Sequence, residues 1–374
     1  MNALKEVASL FFKLGCIAFG GPAAHIAMME EEIVQKRKWM SREHFLDLMG
    51  ATNLIPGPNS TEMTMHCGYH RAGIPGLFVA GICFIFPAVS ITLVFAWLYV
   101  SYGSLPQIAP FIMGIKPAVL AIIAAAIIKL GKKALKGWEL GTLGMIVLTV
   151  SLFGANEVIA LLVAGVLGAL YFSIKHRLTR SAKSLIFLPL FQLSTTAISA
   201  LTPVKVFWIF LKVGAILYGS GYVLFAYLDA ELVARALMSR QELLDAIAVG
   251  QFTPGPVLST ATFIGYQLAG FPGAVAATLG IFLPSFLFVW LLHPLVPRMR
   301  KSAILGYFLD SVNIAAVAVM LAVLIKMAAE TLIDWRPWMI LLLSVYYTFE
   351  TKKPNPVITV AGGAVLGFLL SLIG

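Results

Sequence analysis

The chain has 374 residues, of which 60% are hydrophobic and 12% charged, and it carries a net charge of +10. Soluble domains contain about 25% charged residues, so this composition excludes a soluble globular protein and specifies an integral membrane one. The basic residues are scattered over short loops and form no extended patch, which excludes a nucleic-acid partner. Their excess orients the chain by the positive-inside rule and also concentrates an anionic substrate near the surface.

In chain order, the first residues, MNALKEVASLFFKLG, lack a cationic region followed by an apolar core and a small-residue cleavage site, so no removable signal is expected. An initial span is predicted over 7–28, carrying Lys13, Gly20, Gly21 and His25. The run EEE at 30–32, before QKRK, reads as a solvated juxtamembrane helix. A segment at 45–70 follows, broken by LIPGPNST at 54–61, and then four spans at 75–100, 107–130, 139–154 and 156–174. A polar stretch at 176–204 holds the apolar piece LIFLPLF, which is too short to cross a membrane. The same succession then returns at 206–228, 243–268 (broken by FTPGPVLST at 252–260), 272–296, 303–328, 336–349 and 356–373. Cys16, Cys67 and Cys83 show no paired or metal-type spacing and read as packing residues.

This return is an internal repeat. FKLGCIAFGG (12–21) aligns with LKVGAILYGS (211–220) at an offset of 199, and MSREHFLDLMGATNLIPGPNST (40–61) aligns with MSRQELLDAIAVGQFTPGPVLS (238–259) at 198. GYHRAGIPG (68–76) meets GYQLAGFPG (265–273) at 197, as do Pro87 and Pro284, Lys129 and Lys326, and Trp138 and Trp335. Residues 1–175 and 205–374 are therefore expected to be two copies of one unit, joined by a cytoplasmic linker at 176–204.

Charge sets the expected topology. Lys and Arg cluster at 36–42, 129–136, 175–183, 298–301 and 352–353. All five fall on one side only if each proline-broken segment enters and leaves by the same face. Each copy then has five full crossings, an odd number, and the second is inverted relative to the first. The expected fold is all-α and polytopic, with two inverted repeats of about five transmembrane helices plus one re-entrant segment each. Inverted repeats with discontinuous helices and a site near the midplane are a secondary-transporter design.

Proline removes an amide donor and interrupts a helix, and in a bilayer such a break is tolerated where it is buried in protein or lines a wet cavity. Where the helix restarts, unpaired amides and a positive dipole end form an anion site. The candidate binding residues are accordingly Pro56, Gly57, Pro58, Asn59, Ser60 and Thr61, with Pro254, Gly255, Pro256, Ser259 and Thr260. Asn53 and Gln251, matched just before the breaks, add amide donors, and Gly20 and Gly21 add backbone. Lys13 and Lys212, matched in the first spans, are either cations near an oxyanion or snorkelling side chains. Lys116 corresponds to Asn313 and is an anion ligand in one copy only. Glu62, His66 and His70 share one helix face; with His25 they suggest proton coupling, a metal site being the weaker reading. No motif for a cofactor, a phosphate loop or a catalytic triad is present, so neither an enzyme nor a cofactor is expected.

FGGPAAHIAMMEEEIV, ATNLIPGPNSTEM, GYHRAGIPG and AVGQFTPGPVLSTATFIGYQLAGFPGAVAATLGIFLPSF resemble the chromate ion transporter family, more narrowly its long two-domain bacterial members. The resemblance covers both halves. It implies efflux of chromate across the inner membrane, with sulfate as the closest analogue, driven by the proton motive force through antiport. It also implies two fused domains of opposite orientation. The second copy has LYGSGY where the first has AFGGPA, so Pro22 and His25 have no counterparts. Transport of sulfate or another small anion is the alternative cargo, and a homodimer is left open.

Overall fold

The computed structural model describes residues 3–19, 21–52, 55–103, 105, 107–175, 201–217, 223–292, 302–351 and 354–373. Among them are fourteen α-helices and no strand. Helices α1 (Ala3–Ile17), α2 (Gly21–Met29), α3 (Arg42–Thr52) and α4 (Asn59–Tyr102) come first, and α2 runs on into a π-helical turn, Glu30–Lys36. Then follow α5 (Ala109–Ala134), α6 (Trp138–Leu152) and α7 (Glu157–Lys175). Helices α8 (Pro203–Ile216), α9 (Leu224–Leu228, extended by the π turn Asp229–Val233), α10 (Arg240–Phe252) and α11 (Thr260–Leu292) repeat the first four in order. Last are α12 (Ala303–Thr331), α13 (Trp335–Glu350) and α14 (Pro356–Ser371). Gly20, Asn53, LIFLPLF and the basic clusters at 176–183, 298–301 and 352–353 lie outside the described residues.

Local chemistry sets these boundaries. Helix α8 starts with Pro203 behind a Thr202 cap, α10 with a Ser239/Glu242 capping box, α12 with Ser302, α13 with Asp334 and α14 with Asn355 ahead of Pro356. Among the described residues, four helical segments are long and apolar enough to cross a membrane: Asn59–Tyr102, Ala109–Ala134, Val257–Leu292 and Ala303–Thr331. Inside α4, Ala72 (φ −143°, ψ 23°) and Gly73 (φ 65°, ψ −155°) break the helical path. Ala269 (φ −151°, ψ 29°) and Gly270 (φ 61°, ψ −156°) do the same in α11. Each kink folds the first part of the helix against the second, so that Gly68 meets Gly76 and Gly265 meets Gly273 backbone to backbone.

The first span differs from expectation. Hydropathy reads 7–28 as continuous, but the chain stops at Ile17 and restarts at Gly21, whose φ is +76°. Pro22 has no amide to give back to α1, and a residue at positive φ ends a helix. In the second copy α8 likewise ends at Leu217, in extended conformation (φ −70°, ψ 106°), before α9 begins.

Packing follows small residues, as expected where lipid removes the hydrophobic drive between helices. Gly15 of α1 lies so close to α4 that a Cβ would fall 2.6 Å from the Phe84 carbonyl oxygen, and Gly214 of α8 presses in the same way on Ile281 of α11. The two sets then exchange helices. Gly114 of α5 packs on Gly363 and Gly367 of α14, whereas Ser311 of α12 packs on Gly168 of α7. Phe111 stacks on Phe368 at 4.7 Å, and Phe172 on Tyr307 at 5.6 Å. Along the middle α4 meets α11, with Phe78 stacked on Phe286 at 5.6 Å. Large apolar side chains such as Phe86, Met145, Ile159 and Leu342 are left exposed on the outer faces, as lipid contact requires.

Candidate functional site

Each proline-glycine loop is buried against the other half of the chain. The Gly57 N–H donates to the carbonyl oxygen of Leu217 at the end of α8 (2.6 Å), and the Gly255 N–H donates to that of Ala18 at the end of α1 (2.8 Å). Each loop is therefore hydrogen-bonded to the broken first span of the other copy. Both glycines have positive φ, +141° and +86°, and neither has room for a side chain. A Cβ on Gly57 would fall 2.6 Å from Ser285 Oγ and 3.1 Å from Glu62 Cδ; one on Gly255 would fall 2.9 Å from the Cβ of Ala88. Ser285 and Ala88 are counterparts, at an offset of 197.

Just beyond each glycine a helix begins without a capping side chain, because the cap residues are Pro58 and Pro256. First-turn amides without a side-chain acceptor are the donors a helix start offers to an anion. Ser60, Thr61, Ser259 and Thr260 surround these turns and are buried, as are Gly57, Pro58, Pro254, Gly255 and Pro256, with Pro56 and Asn59 half-buried. Thr92 donates to Ser259 Oγ at 3.2 Å. The counterpart of Thr92 is Val289, so Thr61 Oγ1 is left with no hydrogen-bond partner. The same is true of Ser285 Oγ, of both Glu62 carboxyl oxygens and of Gln251 Nε2, all of them buried. Buried polar atoms normally have partners, and this concentration of orphans marks a place built for something else.

His25 ties the first copy's break together. Its Nε2 lies 3.1 Å from the Ala18 carbonyl oxygen and its Nδ1 3.2 Å from Ser60 Oγ, with Phe84 edge-on at 5.5 Å. The carbonyl only accepts, so Nε2 carries the hydrogen; in the neutral ring Nδ1 then accepts from the Ser60 hydroxyl. His66 is buried one turn beyond Glu62, while His70 sits at the surface near Trp39 and His44. Among the described residues, no three His, Cys, Asp or Glu side chains are grouped to hold a metal ion.

The lysines lie with acids. Lys13 is 3.6 Å from Glu32, and its counterpart Lys212 pairs with Glu231, which also takes Arg235 at 3.0 Å. Arg42 binds Glu30 at 2.9 Å, as Arg240 binds Asp229 at 2.8 Å. These acids sit on the two π turns, and both pairings recur at the repeat offset. The run EEE, expected to be merely solvated, thus supplies structural partners. Lys116 faces Asp245 at 3.7 Å, and Asp245 accepts from Tyr99 at 2.6 Å. Asp245 and Tyr99 edge an otherwise apolar cavity of about 410 Å3 with Phe95, Ile112, Phe252 and Val360. Sequence reasoning missed Ser285, Thr92, Tyr99 and the four acids; of these, the acids carry a signal, since each keeps its charge at the repeat offset.

The chain matches the chromate transporter family twice, over residues 5–169 and 204–368. It is 29% identical to a probable chromate transport protein of Synechococcus elongatus, over 96% of this chain and 93% of that one. It is also 29% identical to the chromate transport protein of Cupriavidus metallidurans, over 98% and 93%. An uncharacterized transporter of Bacillus subtilis is 26% identical over 47% of this chain and 91% of its own length. No solved structure matches.

Proposed function

The chain belongs to the chromate transporter family, and from that premise we propose that it is a secondary transporter exporting chromate across the bacterial inner membrane by alternating access. Residues 1–175 and 205–374 act as two inverted repeats around one site. The observation that carries this reading is the reciprocal bonding of Gly57 to Leu217 and of Gly255 to Ala18, beside two buried helix starts without side-chain caps and unpartnered hydroxyls. Backbone amides, hydroxyls and the Gln251 amide suit a tetrahedral dianion, since charge-assisted donors hold it while no single strong cation prevents release. The names of its relatives support chromate as the cargo; sulfate, of the same shape and charge, is the alternative.

Export needs little help. Moving a dianion out of a cell that is negative inside is favoured by about 4–5 kcal/mol at about 100 mV. Antiport of a proton would add to that drive, and His25 and His66, titratable groups of the first copy, are where an antiported proton would enter. The test is calorimetric titration of purified protein with chromate and sulfate. The wild type binds chromate and sulfate competes. Joint replacement of Ser60 and Ser259 by alanine weakens binding at least tenfold, a hydrogen bond to a charged group being worth about 1.5–3 kcal/mol. Folded wild type that binds neither ion contradicts the proposal.

A further inference from the structure

Glu62 is placed where a carboxylate and an oxyanion would collide electrostatically. It stands in the first turn of α4, is fully buried, and has no hydrogen-bond partner on either oxygen. Its carboxyl lies against Gly57, beside the unpartnered hydroxyl of Ser285. Among the described residues, those beside its carboxyl and its amide carry no charge: the loop before α4 contributes Gly57 and Pro58 and α11 contributes Ser285, while the Leu217 carbonyl at the end of α8 is taken by Gly57. On its own helix the nearest titratable side chain is His66, and on α2 it is His25, already engaged with Ser60 and Ala18. Among the described residues no Lys or Arg reaches either of its oxygens within hydrogen-bond distance. In the second copy Thr260 stands at this position, so only one of the two helix starts carries the acid.

We infer that Glu62 is a proton site that fills together with the anion site, so that oxyanion and proton occupy the transporter at the same time. The inference rests on the proposal that the oxyanion binds at the two helix starts. A dianion and an unpaired carboxylate in one buried pocket repel strongly. A neutral acid removes that repulsion and turns the same side chain into an O–H donor toward the cargo. Like-charge exclusion thus makes proton and anion cooperative, and by linkage each strengthens the binding of the other equally. This sign is opposite to an antiport running through Glu62, which needs the proton to bind when the anion leaves. With one proton aboard, the loaded site carries one net negative charge outward instead of two, and the membrane potential still favours export.

The test is chromate binding by the purified full-length protein in a series of neutral to alkaline buffers, where the free ion is increasingly the dianion. Sulfate, ionised throughout, serves as the second probe. Wild-type affinity should be flat until the carboxyl ionises and then fall tenfold for each further pH unit. Glu62→Gln, a permanent mimic of the neutral acid, should bind at least as tightly and stay flat over the same range. Wild-type affinity that rises with pH, or stays constant across the series, overturns the inference even without the variant. So does Glu62→Gln binding tenfold or more weakly at every pH, because a neutral side chain at this position would then not favour the anion. Folded wild type that binds neither probe contradicts the functional reading as well, which separates the two failures.

Discussion

Replacing Gly57 with alanine should damage the site in a way the structure makes quantitative. Two costs arise. The backbone at Gly57 has φ +141°, a conformation nearly reserved for glycine, and a side chain there costs about 1–3 kcal/mol. The new Cβ would also fall 2.6 Å from Ser285 Oγ and 3.1 Å from Glu62 Cδ, and crowding of that kind costs about 1–3 kcal/mol. Gly154 separates the two effects. It has φ +87° but nothing within 4 Å of its would-be Cβ, so Gly154→Ala carries backbone strain alone. In thermal unfolding Gly57→Ala should lose about 2–6 kcal/mol, both costs together, and Gly154→Ala about 1–3 kcal/mol, the backbone cost alone. Only Gly57→Ala should lose chromate affinity and transport, by about 5- to 150-fold, since about 1.4 kcal/mol is a factor of ten. Equal transport by Gly57→Ala and Gly154→Ala in reconstituted vesicles would refute the placement of the site at this loop.

Other substitutions probe the scaffold. Lys212→Met should destabilise the protein by up to about 3–5 kcal/mol, because it leaves Glu231, 1% exposed, with Arg235 alone; Lys13→Met should cost under about 1 kcal/mol, its side chain being 57% exposed. Thermal unfolding of the two variants compares them directly. His25→Leu, which installs the second copy's residue, leaves Ser60 without its partner but keeps the Gly255 bond to Ala18; a loss of about 1–3 kcal/mol with the fold intact is expected in the same measurement. Gly114→Leu should force α5 away from Gly363 and Gly367 of α14, lowering the yield of folded protein in size-exclusion chromatography, whereas Gly306→Leu, in open space, should not.

The two proline-glycine loops were legible because their cause is local. A proline on either side of a glycine interrupts a helix wherever it stands, and the duplicated LIPGPNST and FTPGPVLST located both loops. The last three helices of each copy begin and end near the predicted limits, since Gly, Pro and capping residues punctuate them. The break after Ile17 was not legible, because hydropathy sums over residues 7–28 and sees no loss of apolarity at two glycines. Nor was the exchange of α5 and α12 between the sets, which depends on which small residues meet across space. Glu32 and Glu231 show the intermediate case. Each looks solvated by itself, but with Lys13 and Lys212 they keep opposite charges at one offset, and the pairing could have been read from the repeat.

The account stands most directly on uptake of labelled chromate into inside-out vesicles under an imposed potential, positive inside the vesicle. It predicts uptake that grows with the potential, is lost when the potential is collapsed, is competed by sulfate, and falls at least about fivefold on substitution of Gly57 or Gly255. Uptake no greater than in vesicles lacking the protein, with the chain correctly inserted, would contradict it.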